Sequence, residues 1–458
     1  MGGMKKIARD TAIMTGAALL MRCVGLIYQA WLARRIGAPG LGLWQLVVSV
    51  NVFAATLAIS GIRFTTTRLV SEEQGRAGGG SAGGAVARCL IYASIFGSVA
   101  CLLLFFGAEP IGFLWVGDAR SVKSLRLLSI SLPMISLSSV LNGYFIASGK
   151  AWKSAVTQVA EQLVNVGAVF FFLRRIDPAD LAQCCAAIAR GSLAADAAGA
   201  CLAFALALSD LCRPAGRPVR ALRLTGRLLR IALPLALSAY ARVGLNTLEH
   251  LLVPKKLREG GMRADAALGG YGIITGMVFP VIGFPSCLLT ALAERSVPEL
   301  TAAQVRGDMP FIRRAVKRLL RVGLLYSLAV TALLFLFSPL LGAWIFHSAE
   351  VGRYLRILSP LVPVMYMDIV TDGCLKGLGQ MLRSMVYNVS ESLIGVGFVM
   401  TLLPRWGLAG FVILLFLCEL WNFSLSFSRL MKVTGLGPEF LQQGIKKART
   451  ALSGGTLR

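Results

Sequence analysis

Apolar runs long enough to cross a bilayer follow one another along nearly the whole chain, and no other feature narrows the fold as much. A helix needs about 20 apolar residues to span the hydrocarbon. Runs of that order lie near 11–33, 42–66, 85–107, 122–147, 153–173, 186–211, 228–253, 268–292, 317–341, 354–377, 383–403 and 407–428. Most carry Gly or Pro, which membrane helices tolerate where neighbours satisfy the freed backbone groups. Of 458 residues, 56% are hydrophobic, and the mean hydropathy is +0.70. A soluble fold cannot cover that much apolar surface. The expected fold class is an all-α integral membrane protein with about twelve transmembrane helices.

One stretch occurs twice. Arg126–Leu173, shifted by 230 positions without a gap, lies on Arg356–Leu403. Pro133 falls on Pro363, Gly143 on Gly373, Gly149 on Gly379, Ser154 on Ser384 and Glu161 on Glu391, and roughly a third of the aligned positions are identical. Internal repetition of membrane helices is a common construction of transporters. The expected organisation is two pseudo-symmetric six-helix lobes, 1–212 and 228–431. A basic linker at 213–227 joins them and a basic tail follows at 432–458.

Lys and Arg number 47 against 22 Asp and Glu, a formal charge of +25. The basic residues cluster between apolar runs, which fits a membrane face rather than nucleic acid. With twelve spans, the termini, the linker and the loops 71–88, 148–153, 294–321 and 376–383 share one side. That side holds about twice as many Lys and Arg as the other, so both termini are expected in the cytoplasm. The linker arginines (Arg213, Arg217, Arg220, Arg223, Arg227) have helical spacing and suggest a surface helix on anionic headgroups. The stretch 294–321, with Arg313, Arg314, Lys317, Arg318 and Arg321, is similar. Residues 75–84 (GRAGGGSAGG) read as a flexible loop.

The ten cysteines are scattered through apolar stretches without metal-site or disulfide spacing, and serve as small fillers. No cleavable signal peptide is evident. There is no Walker loop, and no histidine–carboxylate cluster of hydrolase or metal type, so neither a cofactor nor an enzyme activity is expected. Energy for transport would come from an ion gradient (H⁺ or Na⁺), the membrane potential or substrate mass action.

Two patterns point further. Residues 11–75 contain RCVGLIYQAWLARRIGAPGLGLWQL and SGIRFTTTRLVSEE. Later come LLVPKKLREGG and YGIITGMVFPVIGFPSCLLTALAERSVPEL. The chain resembles the stage V sporulation protein B-like proteins. These are members of the polysaccharide-biosynthesis branch of the multidrug/oligosaccharidyl-lipid/polysaccharide (MOP) flippase superfamily. The resemblance implies two lobes around a central cavity that opens alternately to either side. It also implies a polyprenyl-pyrophosphate-linked sugar as substrate.

Charges at membrane depth are costly and usually face a cavity or a partner. Arg22 sits near the middle of the first span. Its guanidinium suits the pyrophosphate of such a substrate, because its planar fork binds phosphate oxygens bidentately and stays charged. Lipid II flippases are similar here, with Arg-x-x-Gly followed by a second Arg and an Asp. This chain has Arg22 and Gly25, then Tyr28 and Gln29, which departs from a lipid II pattern. Aligning Val24–Gly25 with Val243–Gly244 puts Arg242 beside the counterpart of Arg22. Arg63 is a third candidate cavity cation.

Glu249, two turns after Arg242, is placed to counter it when no substrate is bound, and His250 is protonatable. Glu161 and Glu391 are the duplicated acids, structural or coupling. Asp368 and Asp372 have neutral counterparts, Ser138 and Asn142, and break the symmetry as a coupling-ion site would. Arg34 and Arg35 read as anchors of a helix end, and Arg68 as a residue reaching the headgroups. Expected partners are a lipid-linked sugar and anionic lipids, with a monomeric transporter that works beside envelope-synthesis enzymes. Two other readings stay open: a cation-coupled multidrug antiporter on the same fold, and a non-transporting scaffold for envelope assembly. A drug cavity would carry acids and aromatics rather than arginines.

Overall fold

The computed structural model describes residues 2–75, 82–211 and 221–436. Among these the chain is helical, with no strand. The loop expected at 75–84, the linker at 213–227 and the tail at 432–458 lie mostly outside the described residues.

The first helix, α1 (Gly2–Ile59), has 58 residues. At 1.5 Å per residue it would extend about 87 Å, nearly three times the hydrocarbon thickness. It is therefore two spans. The chain folds at Gly37 (φ 71°, ψ 176°), just before Pro39. Gln29 Nε2 donates to Gly276 O at 3.0 Å, and a Cβ added at Gly276 would meet Leu41 at 2.7 Å and Gln45 at 3.5 Å. Residues on both sides of the fold thus meet one neighbour, so the arms lie side by side.

Next come α2 (Ile62–Gln74), α3 (Ala82–Pro110), α4 (Val122–Ser129), α5 (Leu132–Ala147), α6 (Ala151–Leu173), α7 (Leu181–Leu211) and α8 (Ala221–Glu259). Then follow α9 (Ala264–Tyr271), α10 (Phe279–Gly283), α11 (Ser286–Val305), α12 (Met309–Phe346), α13 (Ala349–Leu358), α14 (Val362–Gly377) and α15 (Met381–Thr434). The last has 54 residues and breaks at Gly407, behind Pro404. Nine helices among the described residues are long and apolar enough to cross a membrane, or ten with the bent pair Ala119–Ser129 and Leu132–Ala147. Counting both arms of α1 and of α15 separately brings that to the twelve expected.

Two expectations are corrected. The run at 268–292 is not one helix: the apolar span is Ala264–Gly283, and the chain breaks before α11, which starts behind Pro285. The stretch 294–321 is not a separate surface helix. It is the end of α11, a turn at Gly307 (φ 71°) and the start of α12. Helix continuity, which keeps backbone groups paired, wins over a lone interfacial segment.

Contacts divide the chain into two compact units. One comprises Met1–Phe284, Gly342–Val351 and Val396–Phe411; the other comprises Pro285–Leu341, Gly352–Gly395 and Val412–Arg458. The division falls at the Phe284–Pro285 break, so residues 228–284 pack with the first unit. The core of that unit runs through Ile62, Val86, Tyr92, Val140, Phe145, Ala203 and Ala232. Helix α3 shows the membrane pattern. Ala93, Ala100 and Ala108 are buried, while Leu102, Leu103 and Phe106 are exposed. Small residues let helices approach, and large ones meet lipid. Gly42 packs closely on α9: a Cβ at Gly42 would lie 2.0 Å from Leu268 O.

The repeat is visible in backbone detail within each unit. Under the 230-residue shift, α5 and α14 start and end at matching positions, and α6 and α15 start together. Gly149 and Gly379 have φ of 67° and 66°. Lys150 N donates to Phe145 O at 2.8 Å, and Gln380 N to Leu375 O at 2.9 Å. Arg126 lies over Phe105 at 5.8 Å, and Arg356 over Phe335 at 4.6 Å.

Candidate functional site

The candidate arginines Arg22, Arg63 and Arg242 all belong to the first unit, and all three are exposed on it. Arg22 Nη1 donates to Gly283 O at 3.1 Å, the C-terminal end of α10. Among the described residues, Arg63 and Arg242 enter no ion pair.

The register of the helices sets their depth. Arg22 precedes Gly37 by as many residues as Val52 follows it, so the α1 hairpin brings Arg22 level with Val52. Helix α8 runs along the second arm of α1. Thr247 Oγ1 donates to Ser49 O at 3.2 Å, a Cβ at Gly244 would lie 3.1 Å from Phe53, and Tyr240 reaches Ser60. Arg242 falls between Tyr240 and Gly244, hence close to the level of Phe53. Arg22 and Arg242 therefore sit within about one helical turn of each other in depth.

On α8, Tyr240, Gly244 and Thr247 share the face against α1. Arg242 and Glu249, seven residues apart, share the opposite face, because two turns of helix return nearly to the same direction. Glu249 is half-buried, but it forms no ion pair with Arg242: two turns separate them by about 10 Å along the axis. His250 Nδ1 lies 3.0 Å from Tyr271 Oη, and Tyr271 is buried against Phe411. The expected Glu249–Arg242 counter-pair is not formed, and His250 is held by a phenol.

Arg63 follows a break in the second arm. Ser60 (φ 44°) and Gly61 (φ 70°) leave the helix, and α2 restarts at Ile62. Arg34 donates to Ile345 O at 2.8 Å and Trp344 O at 2.6 Å, and so satisfies the open carbonyls that end α12. Arg35 does the same for the end of α6, reaching Leu173 O at 3.4 Å and, in the turn that follows, Ile176 O at 3.1 Å. Both act as anchors. Arg68 pairs with Glu72 at 2.9 Å. Arg227, expected on headgroups, instead faces Glu72 and Glu73 at the end of α2.

Glu161 lies on α6, and Asp196 on α7 is near enough to interact with it. Asp196, with Tyr28, Trp44, Asn51, Asn165 and Ser192, lines a cavity of about 270 Å³. In the second unit, Asp372 pairs with Lys376 at 2.6 Å and accepts from Ser384 Oγ. Asp368 Oδ2 accepts from Asn422 Nδ2 at 3.3 Å. Glu419 interacts with both Asp368 and Glu391. Each repeated glutamate thus has a facing acid, Asp196 or Glu419, that the repeat does not reveal. Both lie inside apolar runs, where any ionisable residue is a functional candidate, and that signal alone marks them.

Comparison with known proteins adds identity to this geometry. Residues 7–279 match the family model described as polysaccharide biosynthesis protein, and residues 260–401 match the MatE model. Stage V sporulation protein B of Bacillus subtilis (strain 168) is 22% identical over 409 residues, covering 88% of this chain and 79% of that protein. The lipid II flippase MurJ of the same organism is 21% identical over 169 residues, 35% of this chain and 31% of its own. One solved structure is the inward-facing conformation of a multidrug resistance MATE family transporter of the MOP superfamily. It aligns with TM-score 0.70 at 15% identity, covering 91% of this chain and 96% of that one.

Proposed function

Since the chain belongs to the polysaccharide biosynthesis protein family of the MOP flippase superfamily, and is a multi-pass membrane transporter of MATE-like fold, we propose that it moves a polyprenyl-pyrophosphate-linked oligosaccharide or peptidoglycan precursor across the cytoplasmic membrane. The observation that carries this reading is the matched depth of Arg22 and Arg242. A pyrophosphate crossing the bilayer needs cations at that depth, and arginine binds phosphate through paired N–H donors. Arg63, on α2 just past the break that ends α1, is the third candidate. Alternation between two six-helix lobes would expose these groups to each side in turn, with both termini in the cytoplasm.

Coupling would use H⁺ or Na⁺ at the buried acids, or the membrane potential. Candidates are Glu161 with Asp196, and Asp368, Asp372 and Glu391 with Glu419. Glu249 and His250 are candidates for gating. The likeness to a sporulation protein supports envelope or spore-cortex synthesis as the setting, beside the enzymes that make and use the lipid-linked sugar.

The test is transbilayer movement of an undecaprenyl-pyrophosphate sugar in liposomes carrying the purified protein. Movement above protein-free background is expected, and it should slow roughly tenfold or more in Arg22→Ala while the protein still inserts. No movement under either polarity of potential would overturn the proposal.

A second reading, a cation-coupled multidrug antiporter, is favoured by the cavity beside Asp196. An acid with Tyr28 and Trp44 around about 270 Å³ suits an aromatic cation. Drug sensitivity on deletion, with a normal envelope, would select it.

A further inference from the structure

The second unit holds a basic cavity that the transport reading does not use. It lies between α11 and α12, next to the turn at Gly307, and measures about 410 Å³. Each helix contributes one stripe. On α11, Leu292, Arg295 and Glu299 follow at three- and four-residue spacing. On α12, Phe311, Arg314 and Arg318 do the same, with Leu319 beside Arg318, which puts each set on one side of its helix.

Three guanidiniums against one carboxylate leave a net positive site. Among the described residues, Arg295 and Arg318 form no hydrogen bond or ion pair through their side chains. Arg314 uses only its Nε, 3.3 Å from Pro310 O. Glu299 stands one turn from Arg295, yet the two form no ion pair.

The surroundings identify the ligand. Since α11 runs toward the turn and α12 away from it, Leu292 and Leu319 close the end of the cavity farthest from the turn. Beyond Leu319, α12 exposes Val322, Leu324 and Leu325, the face that lipid chains cover. The arginines lie between this apolar rim and the turn, at the level where headgroup phosphates sit. A soluble anion would need the guanidiniums alone; a phospholipid would use the rim as well.

We propose that this cavity binds the phosphate headgroup of an anionic phospholipid, with Arg295, Arg314 and Arg318 on the phosphate and the acyl chains along Leu292 and Leu319. Glu299 weakens the site and keeps it reversible. The site uses neither Arg22 nor Arg242, and holds whether or not the chain moves a lipid-linked sugar.

The experiment is native mass spectrometry of the full-length protein, released from micelles containing phosphatidylglycerol or phosphatidylcholine at equal concentration. Retention of phosphatidylglycerol above phosphatidylcholine is expected. Arg314→Gln with Arg318→Gln should reduce that retention roughly tenfold or more, the loss of two charge-assisted contacts. Glu299→Gln should raise it. Equal retention of both lipids, full retention in the double variant, or no gain in Glu299→Gln would overturn the proposal. A thermal-shift arm separates the sources of phosphate. Phosphatidylglycerol should raise the melting temperature of lipid-depleted protein, and millimolar inorganic phosphate should not. Equal stabilisation by both would overturn the lipid assignment.

Discussion

Tyr240 donates its hydroxyl to Ser60 Oγ at 2.7 Å, across from α8 to the break in α1. Ser60 Oγ also lies 2.8 Å from Tyr92 Oη, and Tyr92 Oη donates to Ser60 O at 3.2 Å. The three hydroxyls form a chain in which each donates once. It holds a residue other than glycine at φ 44°, a conformation that costs about 1–2 kcal/mol for an L side chain. Tyr240→Phe removes this donor, which also lies 3.4 Å from Leu57 O, and should lower stability by roughly 0.5–1 kcal/mol. Ser60→Ala loses the hydroxyl and keeps the strain, whereas Ser60→Gly loses the hydroxyl and relieves it. Ser60→Gly should therefore melt above Ser60→Ala in detergent. The reverse order would mean that the break is not strained.

Gly149 and Gly379 test the repeat. Both have left-handed φ near 67°, and a Cβ added at either meets no atom closer than 3.9 Å. The cost of alanine is then purely backbone, about 1 kcal/mol at each site. Gly143→Ala should cost more, about 1–3 kcal/mol, because its new Cβ would lie 2.6 Å from Arg63 O, a backbone atom that cannot turn away. Thermal unfolding of the three variants checks the ranking. Unequal losses at Gly149 and Gly379 would break the equivalence of the two hairpins.

The fold was legible because a bilayer leaves the backbone few choices. Run length and the Gly–Pro breaks gave the spans, and the gapless repeat gave turns that agree in φ and hydrogen bonding. Arg22 and Arg242 were legible as charges at depth. What sequence did not convey is cross-helix company. Glu161 was read from its repeat, but its neighbour Asp196 lies on the next helix, and only packing brings them together. Arg227 looked like a headgroup contact because its arginine neighbours have helical spacing. Its carboxylate partners are over 150 residues away in the chain. The division at Phe284–Pro285 was hidden for the same reason. Pro285 marks a break, but not which helices each side packs against.

Arg22 and Arg242 provide a test of a shared ligand. Two cations that hold one diphosphate should not act independently, since removing the first already loosens the grip of the second. Arg22→Ala and Arg242→Ala should each slow flipping roughly tenfold or more, and the double variant should be much less impaired than the product of the two. Initial rates in liposomes measure this cycle. Strictly multiplicative losses would place the two arginines on different events.

Arg227 joins the start of α8 to the end of α2. It pairs with Glu72, and its Nη1 lies 3.3 Å from Oε1 of Glu73, whose side chain is fully buried. Glu72 also takes Arg68 at 2.9 Å, but the Arg68 side chain is 55% exposed. The two arginines should therefore differ sharply. Water screens the Arg68 pair, and Arg68→Ala should change stability by less than about 0.5 kcal/mol. Arg227→Ala removes a cation that faces a buried carboxylate, and the loss should exceed that at Arg68 by about 1 kcal/mol or more. Adding Glu73→Gln to Arg227→Ala should recover part of it, because a neutral amide is easier to bury than a carboxylate that has lost one of its cations. Thermal unfolding of the four proteins, with the wild type as reference, decides the matter. Equal losses at Arg68 and Arg227, or no recovery with Glu73→Gln, would show that Glu73 does not depend on Arg227.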